Sequence, residues 1–237
     1  MAMKGTSINL EPVTSDEDCE LLARWASSTA GTYASGGRAF VTTAEFRESL
    51  GASPTTFLMV RTHQGRAVGA VTWQHLEHSG SFLIGVMIGD PDLWGAGLGV
   101  ESVSLLIEYL FHSCNAHRVQ FICGSYNKPM IEIACSSLIR VEGVLRDYYF
   151  LDGAYHDGVI GAILRDDYYS ARCGPGLRPS DVVPETDKAE ARKILSGYLA
   201  ENPITLADLF KTRSRACWQL AATGVLNESV DEETRRP

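Results

Sequence analysis

The chain has 237 residues, of which 45% are hydrophobic and 21% charged, and it carries a formal net charge of −8 with a pI of about 5.3. That length suits one core plus an extension, and an acidic chain without a basic stripe lacks the footprint of a nucleic-acid binder. No apolar run of about 18 residues could span a membrane, residues 1–11 lack the pattern of a signal peptide, and six scattered cysteines without a CxxC pair point to reduced thiols in a cytoplasm, not to disulfides or zinc.

Residues 7–13 read as a short first strand. A helical pattern follows over 16–26, with Ser15 placed as N-cap and Cys19, Leu22 and Ala26 at helical spacing. The stretch 27–38 is rich in Gly, Ser and Thr and is expected to be a loop. Thr43 is expected to cap a short helix that runs to Leu50, with Phe46 and Leu50 four apart on one face. Residues 56–62 (TFLMVRT), 67–76 (AVGAVTWQHL) and 81–88 (SFLIGVMI) are strands by their β-branched and aromatic content. The Gly-containing turns HQGR and EHSG between them predict antiparallel hairpins. The third strand is apolar almost throughout, as a central strand covered on both faces should be.

Residues 90–100 (DPDLWGAGLGV) lead directly into a helix over 101–112, where Val103, Leu106, Ile107 and Leu110 share a face. A strand at 118–123 and a helix over 127–138 come next. Two long strands at 140–151 and 154–164 are joined by Asp152-Gly153, a dipeptide suited to a type I′ turn. The predicted fold class is therefore α/β (α+β), a mixed and mostly antiparallel sheet of six or seven strands flanked by helices. Past a first domain at 1–170, residues 171–184 hold Gly and Pro enough for a linker. Residues 185–237 predict a helical extension, with helices at 185–200 and 206–222 and a disordered tail. The apolar stripe Leu206, Leu209, Phe210, Cys217 and Leu220 predicts a homodimer contact, a lid over a site, or plain cover for the core.

The most informative segment is Trp94-Gly95-Ala96-Gly97-Leu98-Gly99-Val100. Three alternate glycines let the backbone turn tightly and present N–H groups outward, and the helix that follows adds unpaired amides and a positive dipole end. Such a cradle suits a pyrophosphate. A Walker A loop needs Gly-Lys-Ser/Thr, whereas Gly99 precedes Val100. A dinucleotide fold would place its glycines after the first strand of a βαβ array, and here they follow three antiparallel strands.

The segment DLWGAGLGVESVSLLIEYLF resembles the CoA-binding motif of the GNAT superfamily of N-acyltransferases. Further on, Tyr126-Asn127 opens a helix, and EGVLRDYYFLDGAYHDGVIGAIL resembles the end of the branch that includes ribosomal-protein and small-molecule N-acetyltransferases. The similarity covers about residues 7–168. It implies that strands 81–88 and 118–123 splay apart around the pantetheine of acetyl-CoA or another acyl-CoA. It further implies that backbone groups of Val86, Met87 and Ile88 pair with that arm, one N–H polarising the thioester carbonyl. Amides of Gly95, Ala96, Gly97, Leu98, Gly99 and Val100, beside Trp94, would hold the pyrophosphate. Asn127 would hydrogen-bond the arm, and as a residue favoured at N-caps it also has a purely structural reading. No metal is implied.

The chain departs from that pattern in places. Relatives carry Gln or Arg where Asp92 stands, and they place a proton-donating Tyr or Ser where Ala134 and Met130 stand. Cys135 reads as a small hydrophobe. Tyr126, Tyr149 and Tyr155 are the alternative acids, each also readable as a packed aromatic; a thiolate can also leave unaided. Candidate bases are His75 and Glu77 on one strand and His156 and Asp157 on the last hairpin, with strand-end and turn roles as the plain alternatives. The resulting expectation is acyl transfer to an amine of a small molecule, a peptide or a protein N-terminus, by direct attack in a ternary complex. A longer or acyl-carrier-protein-bound donor, and a non-catalytic acyl-CoA sensor, are the alternatives. Neither nucleic acid nor membrane is expected as a partner.

Overall fold

Apolar runs of strand length, separated by turn residues, supply most of the framework. The computed structural model describes residues 3–36, 40–135, 139–171 and 181–202. Its strands are β1 (Met3–Lys4), β2 (Ile8–Pro12), β3 (Thr56–Thr62), β4 (Ala67–His75), β5 (Ser81–Ile88), β6 (Arg118–Gly124), β7 (Arg140–Leu151) and β8 (Ala154–Leu164). They form one sheet in the order β1-β2-β3-β4-β5-β6-β8-β7. Only β5 and β6 pair in parallel, so the sheet is mixed and mostly antiparallel as the turns predict. Among the described residues the sheet has eight strands where six or seven are expected, because β1 pairs with β2; two residues are too few to show a period. Asp152 and Gly153 both have positive φ (52° and 79°), which a type I′ turn requires.

The helices are α1 (Asp16–Ala26), α2 (Thr29–Ser35), α3 (Thr43–Ala52), α4 (Leu98–His112), α5 (Lys128–Ala134), α6 (Arg165–Ala171) and α7 (Glu185–Glu201). Ser15 caps α1 in a capping box with Asp18. The segment 27–38, expected to be a loop, contains α2: Ser28 caps it and Gly36 ends it in the left-handed conformation. The cap of α3 is Thr42, not Thr43, in a reciprocal box with Glu45. Helix α4 starts at Leu98, three residues earlier than the apolar pattern suggests, since its first turn packs little and shows no period. Helix α5 runs to Ala134, with Cys135 as its C-cap, and residues 136–138 of the expected helix lie outside the described residues. The chain also forms α6, unforeseen because it is short and polar; Tyr168 anchors it by stacking on Phe111 at 4.9 Å. The expected helix at 206–222, the tail and most of the linker lie outside the described residues.

Two cores sandwich the sheet. On one face Val103, Leu106, Ile107, Leu110 and Phe111 of α4 bury against Phe82, Ile84, Val119 and Phe121. On the other, Leu22 and Trp25 of α1 and Phe46 of α3 meet Met59 and Ala70. Each fully buried side chain of this size contributes about 1.5–3 kcal/mol. Asp18, 1% exposed, pairs with Arg61 of β3 and accepts the N–H groups of Thr14 and Ser15, which fixes α1 to the sheet. The chain divides into two compact units, 1–179 and 180–237. In the second, α7 carries exposed Ile194, Leu195 and Tyr198, and Lys188 pairs with Asp181 at 2.9 Å. No helix among the described residues is long and apolar enough to cross a membrane.

Candidate active site

The parallel pair β5–β6 holds together only from Ser81↔Arg118 to Leu83↔Gln120, although both strands run on, to Ile88 and Gly124. Beyond that point β5 is paired only with β4 and β6 only with β8, so a V-shaped gap opens in the middle of the sheet. In an antiparallel pair the backbone groups of alternate residues point to opposite sides. Gly89 donates its N–H to Val68 O of the β4 side at 2.9 Å. Met87 therefore also faces β4, whereas Val86 and Ile88 present their backbone groups to the gap. Trp94 Nε1 takes up Ile88 O at 2.9 Å. Of the three residues expected to pair with a pantetheine, the register thus leaves Val86 and Ile88 in position, with Met87 contributing its side chain.

A cavity of about 410 Å³ occupies the gap and extends to the glycine turn. Val86, Met87, Ile88, Trp94, Gly95, Gly97, Leu98, Gly99, Val100 and Asn127 line it. Gly95 (φ 82°) and Gly97 (φ 81°) are left-handed, and a Cβ on either would meet nothing within 4 Å, so the turn is open on its cavity side. Gly97 serves as the N-cap of α4 without a side-chain cap. The N–H groups of Leu98, Gly99 and Val100 have no intrahelical partner, the first such bond being Glu101 N–H to Gly97 O at 3.0 Å. Ala96 does not line the cavity, because its N–H is turned back to Leu93 O. Glu101, the acid in the first turn of α4, faces away and accepts the Ser7 N–H at 2.8 Å. Burial opposes its charge, but the amides of Ser7, Thr6 and Ile8 outweigh burial and hold the carboxyl below its ordinary value. Asp92 is exposed on the turn Pro91–Leu93 and lies outside the cavity. The turn thus fits a pyrophosphate, being open, with free amides and with neither Asp92 nor Glu101 facing in; Glu132 of α5 lines the cavity on its other side.

Helix α2 closes the cavity with Ala30, Tyr33 and Ala34. Sequence reasoning missed these residues; the signal was Ser28 as a cap and Gly36 as a stop, seven residues of helix between them. Asn127 is the N-cap of α5, 6% exposed, with its Oδ1 accepting Met130 N–H at 3.2 Å and its Nδ2 donating to Tyr33 O at 3.3 Å. An amide has two donor and two acceptor positions, so the capping role leaves one of each for a ligand.

Tyr126 follows the end of β6; neither it nor Tyr149 nor His156 lines the cavity, which Tyr33 borders beside them. The Tyr126 ring lies 5.7 Å from Tyr33, 6.0 Å from Tyr149 and 5.3 Å from His156, centroid to centroid. Its hydroxyl oxygen is buried with no hydrogen-bond partner among the described residues. Burial, followed by Cys123 and Tyr33, raises its pKa above the ordinary tyrosine value. Tyr149 reaches this cluster through a β7 irregularity, in which four steps from Leu145 to Tyr149 oppose two from Gly158 to His156. Asp147 takes a left-handed φ of 52° there, and its N–H donates to Asp157 Oδ1 at 3.0 Å. Asp157 is thus occupied in shaping the hairpin, and His156 is the one of the pair beside Tyr126.

The other candidates lie elsewhere. His75 sits at the closed end of the sheet, paired with Phe82 and packed on its ring at 4.3 Å. Phe82 and Val86 are four positions apart, about 13 Å of strand, so His75 and Glu77 are not brought to the cavity; they are a strand end beside a turn. Tyr155 is 65% exposed and packs on Phe150. Burial, with Cys135 second, pushes the Cys123 thiol up to about 11, which makes it a poor nucleophile.

The family model for the acetyltransferase (GNAT) domain matches residues 7–136. The chain belongs to the GNAT acetyltransferase family. It is 33% identical over 92 residues to an uncharacterized N-acetyltransferase p20 of Bacillus licheniformis, covering 39% of this chain and 51% of that protein. It is 27% identical over 116 residues to spermidine N(1)-acetyltransferase of Escherichia coli, covering 48% and 61%. The chain therefore spans about half to three fifths of the length of these relatives. The crystal structure of spermidine N-acetyltransferase from Vibrio cholerae in complex with CoA and spermine superposes with a TM-score of 0.63 at 16% identity, covering 70% of this chain and 99% of that one. A GNAT acetyltransferase from Bacillus anthracis gives 0.59 at 18%, with 70% and 99% covered. At those identities the likeness is one of GNAT fold.

Proposed function

We propose that the chain transfers a short acyl group from an acyl-CoA to an amine, with both substrates bound together. The observation that carries this reading is the single cavity that joins the β5–β6 gap to the amide turn at the head of α4. Acyl-CoA supplies an activated thioester from which the CoA thiolate leaves readily. The free amides of Leu98, Gly99 and Val100 bind the pyrophosphate, and Val86 and Ile88 align the arm along the open edge of β5. The Val86 N–H faces the gap and polarises the carbonyl. Asn127 anchors the arm from the α5 side. Tyr126 holds its proton and delivers it to the departing sulfur, and His156 beside it receives the proton of the attacking amine. The rings of Tyr33, Tyr126 and Tyr149 suit an ammonium group waiting at that end. An amine acceptor also agrees with the named activity of the spermidine acetyltransferase relatives.

The test is release of free thiol from acetyl-CoA in the presence of spermidine and a panel of mono- and diamines. Amine-dependent release is expected, abolished in Gly97→Glu because the added carboxylate fills the open face of the turn. Binding of CoA without thiol release under any amine would mark a sensor and overturn the catalytic reading.

A further inference from the structure

A second, smaller space lies where the strand gap closes. Its volume is about 20 Å³, room for one methyl-sized group, and every side chain around it is apolar. It adjoins the large cavity, since Val86, Met130 and Ile133 border both. Along β5 the two spaces follow one another: Ile88 to Val86 line the large one, Val86 to Ile84 the small one, and at Leu83 the strands pair again. A ligand laid along β5 from the glycine turn therefore points its far end at the small chamber, and the Leu83↔Gln120 pair closes the gap beyond it. Val103 and Ile107 of α4 complete the chamber walls.

We propose that this chamber receives the terminal methyl of a three-carbon acyl group, so that the protein prefers a propionyl thioester to an acetyl one. The inference rests on the acyl-CoA reading above and adds the length of the acyl chain to it. An apolar space of this size holds no well-bonded water, and its walls lack dispersion partners on one side until an apolar group fills it. An acetyl group ends one carbon short of it. A linear four-carbon chain brings two groups to a space for one, which the close-packed walls resist.

Calorimetric titration of the full chain with CoA, acetyl-CoA, propionyl-CoA and butyryl-CoA tests this. Propionyl-CoA is expected to bind about fourfold more tightly than acetyl-CoA, the increment of one buried methylene, and butyryl-CoA no more tightly than propionyl-CoA. Val103→Ile inserts one methylene into the chamber and should erase the propionyl advantage while leaving the affinity for CoA itself unchanged. Ile107→Val, which removes a methylene and cannot overpack, should move the optimum to butyryl-CoA. Equal affinity for acetyl- and propionyl-CoA in the wild type and both variants would overturn the chamber and leave the donor site standing. Failure of CoA itself to bind would overturn the donor site and the chamber with it.

Discussion

A buried hydroxyl without a partner costs about 1–3 kcal/mol, and among the described residues the Tyr126 hydroxyl, beside Tyr33 of the cavity wall, has none. A group retained against stability is a candidate for chemistry. Tyr126→Phe is expected to leave the protein as stable or up to about 1 kcal/mol more stable, while kcat falls about 10²-fold or more. Thermal denaturation set beside thiol-release kinetics checks both halves. A stability loss with unchanged kcat would make Tyr126 a packing residue. Tyr149 offers a different test, because burial, then Tyr148, Tyr126 and Cys123, push its pKa up to about 12 from 10.0. With the folded value above the unfolded one, its contribution to stability is complete below pH 10 and is lost as pH rises toward 12. Denaturant melts across that window should show a steeper loss in the wild type than in Tyr149→Phe, and parallel losses would contradict the shift.

Helix α2 decides how much of the site could be read from sequence. The strands were legible because apolar runs and Gly turns give each a length and an end: β3, β5, β7 and β8 fall where the pattern puts them. The glycine turn was legible for the same reason, three alternate glycines before a helix having few other uses. Helix α2 was not, because Thr, Gly and Ser are weak helix formers that favour caps and turns. What keeps it helical is tertiary: Ala30 is buried, and the Tyr33 hydroxyl donates to Tyr126 O at 3.0 Å. The acid–base candidates were ambiguous for a related reason, since a His near a strand end looks alike in sequence at either end of the sheet. Only the β5–β6 register separates His75 at the closed end from His156 near the open one. The cap of α2 gives this dependence a measurable form. Ser28 Oγ accepts Ala30 N–H at 3.2 Å and donates to Trp25 O at 2.7 Å. Ser28→Ala is expected to cost about 1 kcal/mol of stability and to raise KM for the acyl donor more than it lowers kcat, because α2 forms one wall of the cavity. Equal stability and unchanged KM would mean that the wall holds without its cap.

Among the described residues, both hydrophobic clusters and the large cavity draw on residues between Met3 and Tyr169. Helix α7, in the second unit, has no buried residue over 185–201. The boundary is nevertheless sharp on the N-terminal side of the linker. Tyr168 is 1% exposed and stacks on Phe111, and Arg165 Nη1 donates to Phe111 O and Ala116 O, which closes the end of α4. A chain ending at Ala171 is therefore expected to fold and to bind CoA within about twofold of the full-length affinity, roughly 0.4 kcal/mol. A chain ending at Leu164 removes the Tyr168 ring and should lose about 3–5 kcal/mol, a large part of the 5–15 kcal/mol typical of a domain. Circular-dichroism melts and calorimetry on the two truncations separate the cases, and sedimentation of the longer one shows whether 172–237 governs assembly. If the chain ending at Ala171 folded but bound CoA tenfold more weakly, the donor site would not be complete within residues 1–171.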